Sequence, residues 1–356
     1  MEVITNKEEW NSIIKENFSK YEDTYFSYEY HEIFANIYNV ELEGIFWKDE
    51  NVIIFWTHLI RDVKNIEIFK NFNYFDLTTP YGYGGPLIVE RTENREKVHN
   101  SIEMFFDKYK KFAKQKDYIC EFIRFHPFLK NWELLKENVK IQYLNDVVFV
   151  DLMKSIEQLW RECRTDRKRN IKKTKNLNCI VNIISNPKKE DLIEFLNLYN
   201  LTMDRNKASK KYYFSYNFFD NHFNLLKDNI ILANAEYNGE IIGSSIFFYR
   251  TNNIHYHLSG SKIIKNAAPS EFILWEVINW AKEKRFQKLL LGGGRAKNDS
   301  LFEFKKGFSN TYLPFYLGKV IFNEEIYNKL TSLNSYSKKS PSFFPLYRVN
   351  YDIKII

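Results

Sequence analysis

Cysteine is scarce in this chain: Cys120, Cys163 and Cys179 are the three in 356 residues. They are too few and too scattered for a disulfide framework or a four-ligand zinc site, so a reducing cytoplasm is expected. Long apolar runs are missing as well. Nothing approaches the roughly 18 residues needed to span a bilayer, and no transmembrane segment is expected. The opening "MEVITNKEEWNSIIKENF" lacks the basic and then apolar regions of a signal peptide. No Pro/Gly/Ser-rich linker interrupts the chain, so its parts are expected to pack tightly. HExxH, Ser/His/Asp, paired-cysteine and EF-hand patterns are all absent, and no metal site is expected. His255 and His257 share one face of a strand but find no third ligand; His126 fits a strand end.

What the chain does have is core material. Apolar residues make up 44% and aromatics 17%, and 55 of the 62 aromatics are Phe or Tyr. That excludes a disordered chain, and the length suits two domains. The net charge is +7, yet the window 161–175 alone holds eight Lys/Arg against two acids. Basicity concentrated in this way points to an anionic partner more than to solubility.

Element signals repeat. "VELEGIFWKDENVIIFWTHLI" reads as a hairpin around Lys48–Asn51, followed by an amphipathic helix over 92–116 and the strand "DYICEFIRFHP". "IILANAEYNGEIIGSSIFFY" reads as a second hairpin turned by Asn238-Gly239. The strand "NIHYHLSGS", a helix opened by Pro269 and the strand "KLLLGGG" complete the repeat. The pattern predicts an α/β (α+β) chain of two domains with mixed sheets flanked by helices. The first covers 1–150 and the second 151–316, with a C-terminal strand, helix and tail at 317–356. "DLMKSIEQLWRECRTDRKRNIKKTK" reads as one long helix. On it Arg161, Arg164, Lys168, Lys172 and Lys175 share a face with almost no acidic partners, a face suited to phosphates.

Glycine is the other concentrated resource. Six of twelve lie at Gly82–Gly85 and Gly292–Gly294. Neither run fits a Walker loop or a dinucleotide fingerprint, since Lys297 stands where each would need glycine after Gly292. Two readings remain open: a tight turn at a strand end, or close approach of a ligand to backbone.

"HYHLSGS", "APSEFILWEVINWAKEKRFQKLLLGGG" and "DSLFEFKKGFS" resemble the second half of the Fem-type (FemABX) N-acyltransferases of the GNAT superfamily. "RKRNIKKTK", "LYNLTMDRNKASKKYYFS" and "TTPYGYGGPL" extend the likeness over about residues 75–320. The resemblance implies tandem GNAT-like domains with a cleft between them, the C-terminal strand and helix packing back on the first. It implies an amide-forming enzyme in which an amine attacks an ester or thioester. The donor is aminoacyl-tRNA or acyl-CoA as co-substrate, with no tightly bound cofactor. The acceptor would be a cell-envelope precursor (peptidoglycan or polysaccharide) or an amino sugar, nucleotide- or lipid-linked, met in the cytoplasm or at the inner face of the membrane.

By the same resemblance Lys305, after Phe304, stabilises the oxyanion, with neighbouring Lys306 as the competing choice. Arg169, Arg205, Tyr213 and Ser259 bind substrate, Tyr81, Tyr83 and Gly84 line the site, and Gly292, Gly293 and Gly294 let substrate approach. Arg164, Lys168 and Lys172 are the expected donor-phosphate contacts. Asp76, with Asp299 and Glu303, is a candidate general base by neighbourhood. "SKIIKNAAPSEF" lacks the glycines of a pyrophosphate loop, which favours tRNA over CoA. An acyl-CoA-dependent N-acetyltransferase and a non-catalytic RNA- or ligand-binding scaffold stand as alternatives.

Overall fold

A computed structural model describes residues 1–294, 299–339 and 342–351. In chain order the elements begin with β1 (Glu2–Ile4), α1 (Lys7–Asn17), α2 (Tyr28–Tyr38), β2 (Glu41–Lys48), β3 (Val52–Asp62), β4 (Phe75–Thr78) and β5 (Leu87–Glu90). Then come α3 (Arg95–Gln115), β6 (Tyr118–Arg124), β7 (Lys140–Asp151), α4 (Ile156–Glu162), α5 (Thr165–Asn176), β8 (Ile180–Ile184), α6 (Lys189–Arg205) and α7 (Tyr216–Leu226). The last are β9 (Ile230–Tyr237), β10 (Glu240–Arg250), β11 (Asn253–Ser261), α8 (Pro269–Glu283), β12 (Lys288–Gly292), α9 (Ser300–Lys306), β13 (Thr311–Ile321) and α10 (Glu324–Leu333).

The chain divides into two compact units. Among the described residues one comprises Met1–Leu144 and residues 315–351; the other is Asn145–Pro314. The divisions fall inside β7 and β13, several residues before the expected 150/151 join and just before 316/317.

In the first unit the strands order β1-β2-β3-β4-β6-β13, with β5 pairing β3. Asp49 sets the β2–β3 turn by accepting from the backbone N–H of Asn51 and Val52, both at 2.8 Å. Helix α3 starts at Asn94, whose side chain accepts from Lys97 N, as capping residues do. Its buried Val98, Ile102, Phe105, Phe106 and Tyr109 recur at helical spacing, and Phe105 stacks on Trp56. Burying a carboxylate here requires partners: Glu121, fully buried, accepts from Trp56 Nε1 (2.7 Å) and Tyr109 OH (2.8 Å).

In the second unit the order is β7-β12-β11-β10-β9-β8. Asn238 and Gly239 both take positive φ in the β9–β10 turn, which suits the twist of a two-residue hairpin. Strand β12 runs parallel to β11, connected through α8. Helix α6 crosses β11 so closely that a Cβ on Gly260 would collide with the backbone of Leu198 and Tyr199. Within each unit the strands run in mixed directions and are flanked by helices, the mixed α/β fold expected.

One expectation fails. The predicted long helix over 151–175 is two helices, because Cys163 and Arg164 are extended (ψ of 133° and 146°). Arg164 N donates to Gly307 O at 2.9 Å, while Cys163 is buried. Side-chain burial and a bond to a distant carbonyl outweigh local propensity at this break. Arg161 therefore stands on α4 and Arg164 caps α5, so the five cations do not share one helical face.

Candidate active site

The short helix α9 is fixed by Asp299, whose side chain accepts from Phe302 N at 2.8 Å. Phe302 is buried, and Lys305 three residues on shares its inward side. Lys305 is only 9% exposed, and its Nζ donates to Gly293 O at 2.8 Å. Burial lowers the ammonium pKa to about 8, with Asp299 pulling the other way. Lys306 instead reaches Glu303 at the surface, so Lys305 is the buried one of the pair.

Gly292 ends β12 with φ of +81°, a backbone that side chains rarely adopt. A Cβ on Gly293 would lie 3.0 Å from Asp146 O, and Gly294 O accepts from Asn145 Nδ2 at 3.3 Å. The glycines therefore pack a tight strand-end turn against 145–146. That turn also presents the carbonyl holding Lys305. Asn145, buried like Lys305, was not singled out by sequence because nothing local marks it.

Behind α9 lies a second constellation that sequence reasoning also missed. Arg167 pairs with Glu271, and its guanidinium lies 5.2 Å from the Phe304 ring centroid, a cation–π arrangement. Phe304 thus holds Arg167 against α9. Glu271 sits in the first turn of α8, where a carboxylate complements the helix dipole. The signal was available in part: an acid two residues after the helix-starting Pro269.

The basic segment needs correction in its charge balance. Arg164 makes two 2.8 Å bonds to Asp166 and reaches Glu303 at 3.3 Å. Hydrogen bonds from Arg164 hold the Asp166 carboxyl down to about 2. Glu303 is thus an ion-pair partner, and Asp299 a helix cap. Lys168 donates to Arg161 O at 2.9 Å, and Lys172 lies over Trp160. Arg169 and Lys173 are exposed and make no hydrogen bond or ion pair among the described residues.

Elsewhere in this unit Arg205 donates to Ser261 O (2.9 Å) and Thr202 Oγ1 (3.3 Å), tying the end of α6 to the end of β11. Tyr213 OH donates to Asp204 at 2.7 Å, and Ser259 Oγ accepts from Ser245 Oγ at 2.8 Å. None of these three hydrogen-bonds Lys305 among the described residues. His255 is buried on β11.

In the first unit, Asp76 is engaged as an ion-pair partner. It is fully buried between Arg61 (2.7 Å) and Arg348 (2.5 Å) and accepts from Tyr347 OH at 2.8 Å. Burial raises its pKa, but Arg348 and Arg61 outweigh this and hold it below the ordinary range. Such a carboxylate fastens the returning C-terminal segment. Tyr81 O accepts from Tyr30 OH at 2.6 Å. Tyr83 packs edge-on against Tyr25 and Phe315, and burial pushes its phenol up. Gly84 is buried, its carbonyl accepting from His126 N at 3.1 Å.

The family model of the acetyltransferase (GNAT) domain matches residues 161–306. No curated protein sequence matches the chain significantly. Among solved structures the chain is similar to FemX, with a TM-score of 0.66 at 11% identity, covering 92% of this chain and 99% of that one. It is similar to L-PGS from Bacillus licheniformis, with a TM-score of 0.56 at 13% identity, covering 92% and 96%. A conserved protein of unknown function from Bacteroides thetaiotaomicron VPI-5482 has a TM-score of 0.53 at 10% identity, covering 88% and 97%. Residues 161–306, which carry both Arg167 and Lys305, match the acetyltransferase (GNAT) domain model, and the chain as a whole has a fold similar to that of FemX.

Proposed function

We propose that this chain is an N-acyltransferase that forms an amide on an amine acceptor, drawing its acyl group from aminoacyl-tRNA. The observation that carries the reaction is the buried Lys305 ammonium anchored on Gly293 O at 2.8 Å. An ammonium has three donors; the glycine carbonyl takes one, leaving two for a developing oxyanion. A fixed donor at that position contributes about 10²–10³ in rate. The amine must arrive neutral to attack; as the tetrahedral intermediate collapses, the C–O bond to the ribose breaks and the ribose oxygen leaves with the proton the nitrogen gives up.

Two features support tRNA over CoA. The exposed Arg169 and Lys173 lack carboxylate partners among the described residues, as phosphate-binding groups do. The first turn of α8, where a helix N-terminus would favour an anion, carries the carboxylate of Glu271, paired with Arg167. The acceptor is read as the amine of a cell-envelope precursor or an amino sugar, in the cytoplasm or at the membrane's inner face. No helix among the described residues is long and apolar enough to cross a membrane.

The test supplies purified protein with tRNA charged with labelled amino acids, or with labelled acetyl-CoA, and with amino-sugar and envelope-precursor acceptors. Amide-linked label from tRNA is expected. Transfer from acetyl-CoA alone would replace the donor, and no transfer with retained RNA binding would make the chain a scaffold.

A further inference from the structure

The returning C-terminal segment of the first unit borders an open cavity of about 480 Å³ together with α3, β7 and β13. This is within the size range of small-molecule sites. Three lysines reach it: Lys110 from α3, Lys140 from the start of β7 and Lys319 from β13. None of the three forms an ion pair with a carboxylate among the described residues. Their bonds are long. Lys110 Nζ donates to Asn138 Oδ1 at 3.5 Å and Lys319 Nζ to Ser342 O at 3.4 Å. Lys319 is half-buried; burial and the like charge of Lys140 lower its pKa. One acid lines the cavity, Glu324. It lies exposed in the first turn of α10, already complementing that helix's dipole. The lining therefore carries three cations against one anion.

The remaining wall is largely apolar, with Val320, Ile321, Tyr327, Phe343, Phe344 and Leu346. Tyr327 and Phe344 stack with centroids 5.6 Å apart, and Phe343 adjoins them. Lys319 Nζ lies 5.6 Å above the Phe344 ring, so the cationic and aromatic parts of the wall meet at one point. Compact ammonium groups bind phosphate as point charges, and planar heterocycles stack on aromatic side chains.

We propose that this cavity is a binding site for a nucleoside mono- or diphosphate, with the phosphate held by Lys140 and Lys319 and the base against Phe343 and Phe344. The site is built wholly within the first unit. It uses no residue of the acyl-transfer site and does not depend on that reading.

Isothermal titration of the full chain with ADP, UDP and inorganic phosphate at fixed salt tests it. At least one nucleotide should bind saturably, at least tenfold tighter than inorganic phosphate. Lys140→Gln/Lys319→Gln should weaken that binding at least tenfold with an unchanged melting temperature, while Arg169→Gln/Lys173→Gln should leave it intact. If the double variant folds poorly, Lys110→Gln, at an exposed position, should still weaken binding severalfold. No saturable nucleotide binding, equal affinity for phosphate and nucleotide, or indifference to both lysine variants would each overturn the assignment.

Discussion

Lys305 and Gly293 join the end of β12 to α9 through one hydrogen bond of 2.8 Å. The bond costs the fold something, because a charged ammonium is held almost out of water. A pKa lowered from 10.5 to about 8 corresponds to about 3 kcal/mol. Lys305→Met should therefore keep or raise the melting temperature at pH 7 while lowering kcat/KM about 10²–10³-fold. Unchanged turnover would remove Lys305 from the mechanism.

The same shift sets a pH dependence of opposite sign for activity and stability. Above pH 8 the folded lysine loses its charge, so kcat should fall with an apparent pKa near 8. Between about 8 and 10.5 the unfolded chain binds a proton that the folded chain does not. Stability contributed by this group thus rises with pH across that window and is lost as pH falls through 8. Denaturant titrations of wild type and Lys305→Met from pH 7 to 10 measure it: the gap between the two should shrink as pH rises.

Much of this arrangement was legible from local pattern. Asn238-Gly239 fixes its hairpin and Pro269 opens its helix, because turn and first-turn geometry depend on neighbouring residues only. The lysine of "FEFKKGF" was singled out by resemblance alone. What was not legible is set by distant partners. The break at Cys163–Arg164 comes from a bond to Gly307, more than 140 positions away. Asp76 read as a candidate base because its two arginines lie 15 and 272 positions off. Arg167 was hidden among eight basic residues, only one of which meets Glu271.

Asp76→Asn should unfold the chain more readily without changing the chemistry. Removing one member of a buried ion pair leaves uncompensated charge and costs about 3–5 kcal/mol, here on Arg61 and Arg348. Because the folded carboxyl lies below its usual range, its contribution is present at neutral pH and lost as pH falls through the folded pKa. Equilibrium unfolding checks the first effect, and kcat per folded molecule should remain near wild type. A large loss of kcat with stability intact would restore a chemical role.

Arg169 and Lys173 offer an electrostatic test. If both meet phosphates, converting them to Gln removes two counterion-releasing contacts. The slope of log K against log salt should become shallower by about 1.4–1.8. Filter binding of tRNA at 50–200 mM salt reads this directly. An unchanged slope would move the nucleic-acid surface elsewhere.

Gly307→Ala probes how closely Arg167 is fitted behind the active helix. Gly307 has φ of −65°, so alanine meets no backbone strain there. A Cβ would lie 2.6 Å from Arg167 Nε and 2.8 Å from its Cγ. The guanidinium would have to leave Glu271 or slide off the Phe304 ring. Overpacking of this kind costs about 1–3 kcal/mol. Arg167→Ala alone is destabilising too, since Glu271 stays buried without its partner. In the Arg167→Ala background, however, both clashes with Arg167 are gone and Phe304 O at 3.1 Å is what the methyl still meets, so Gly307→Ala should cost less. The double-mutant cycle should give a coupling of about 0.5–3 kcal/mol. Strict additivity would mean that Arg167 does not occupy the space the glycine leaves.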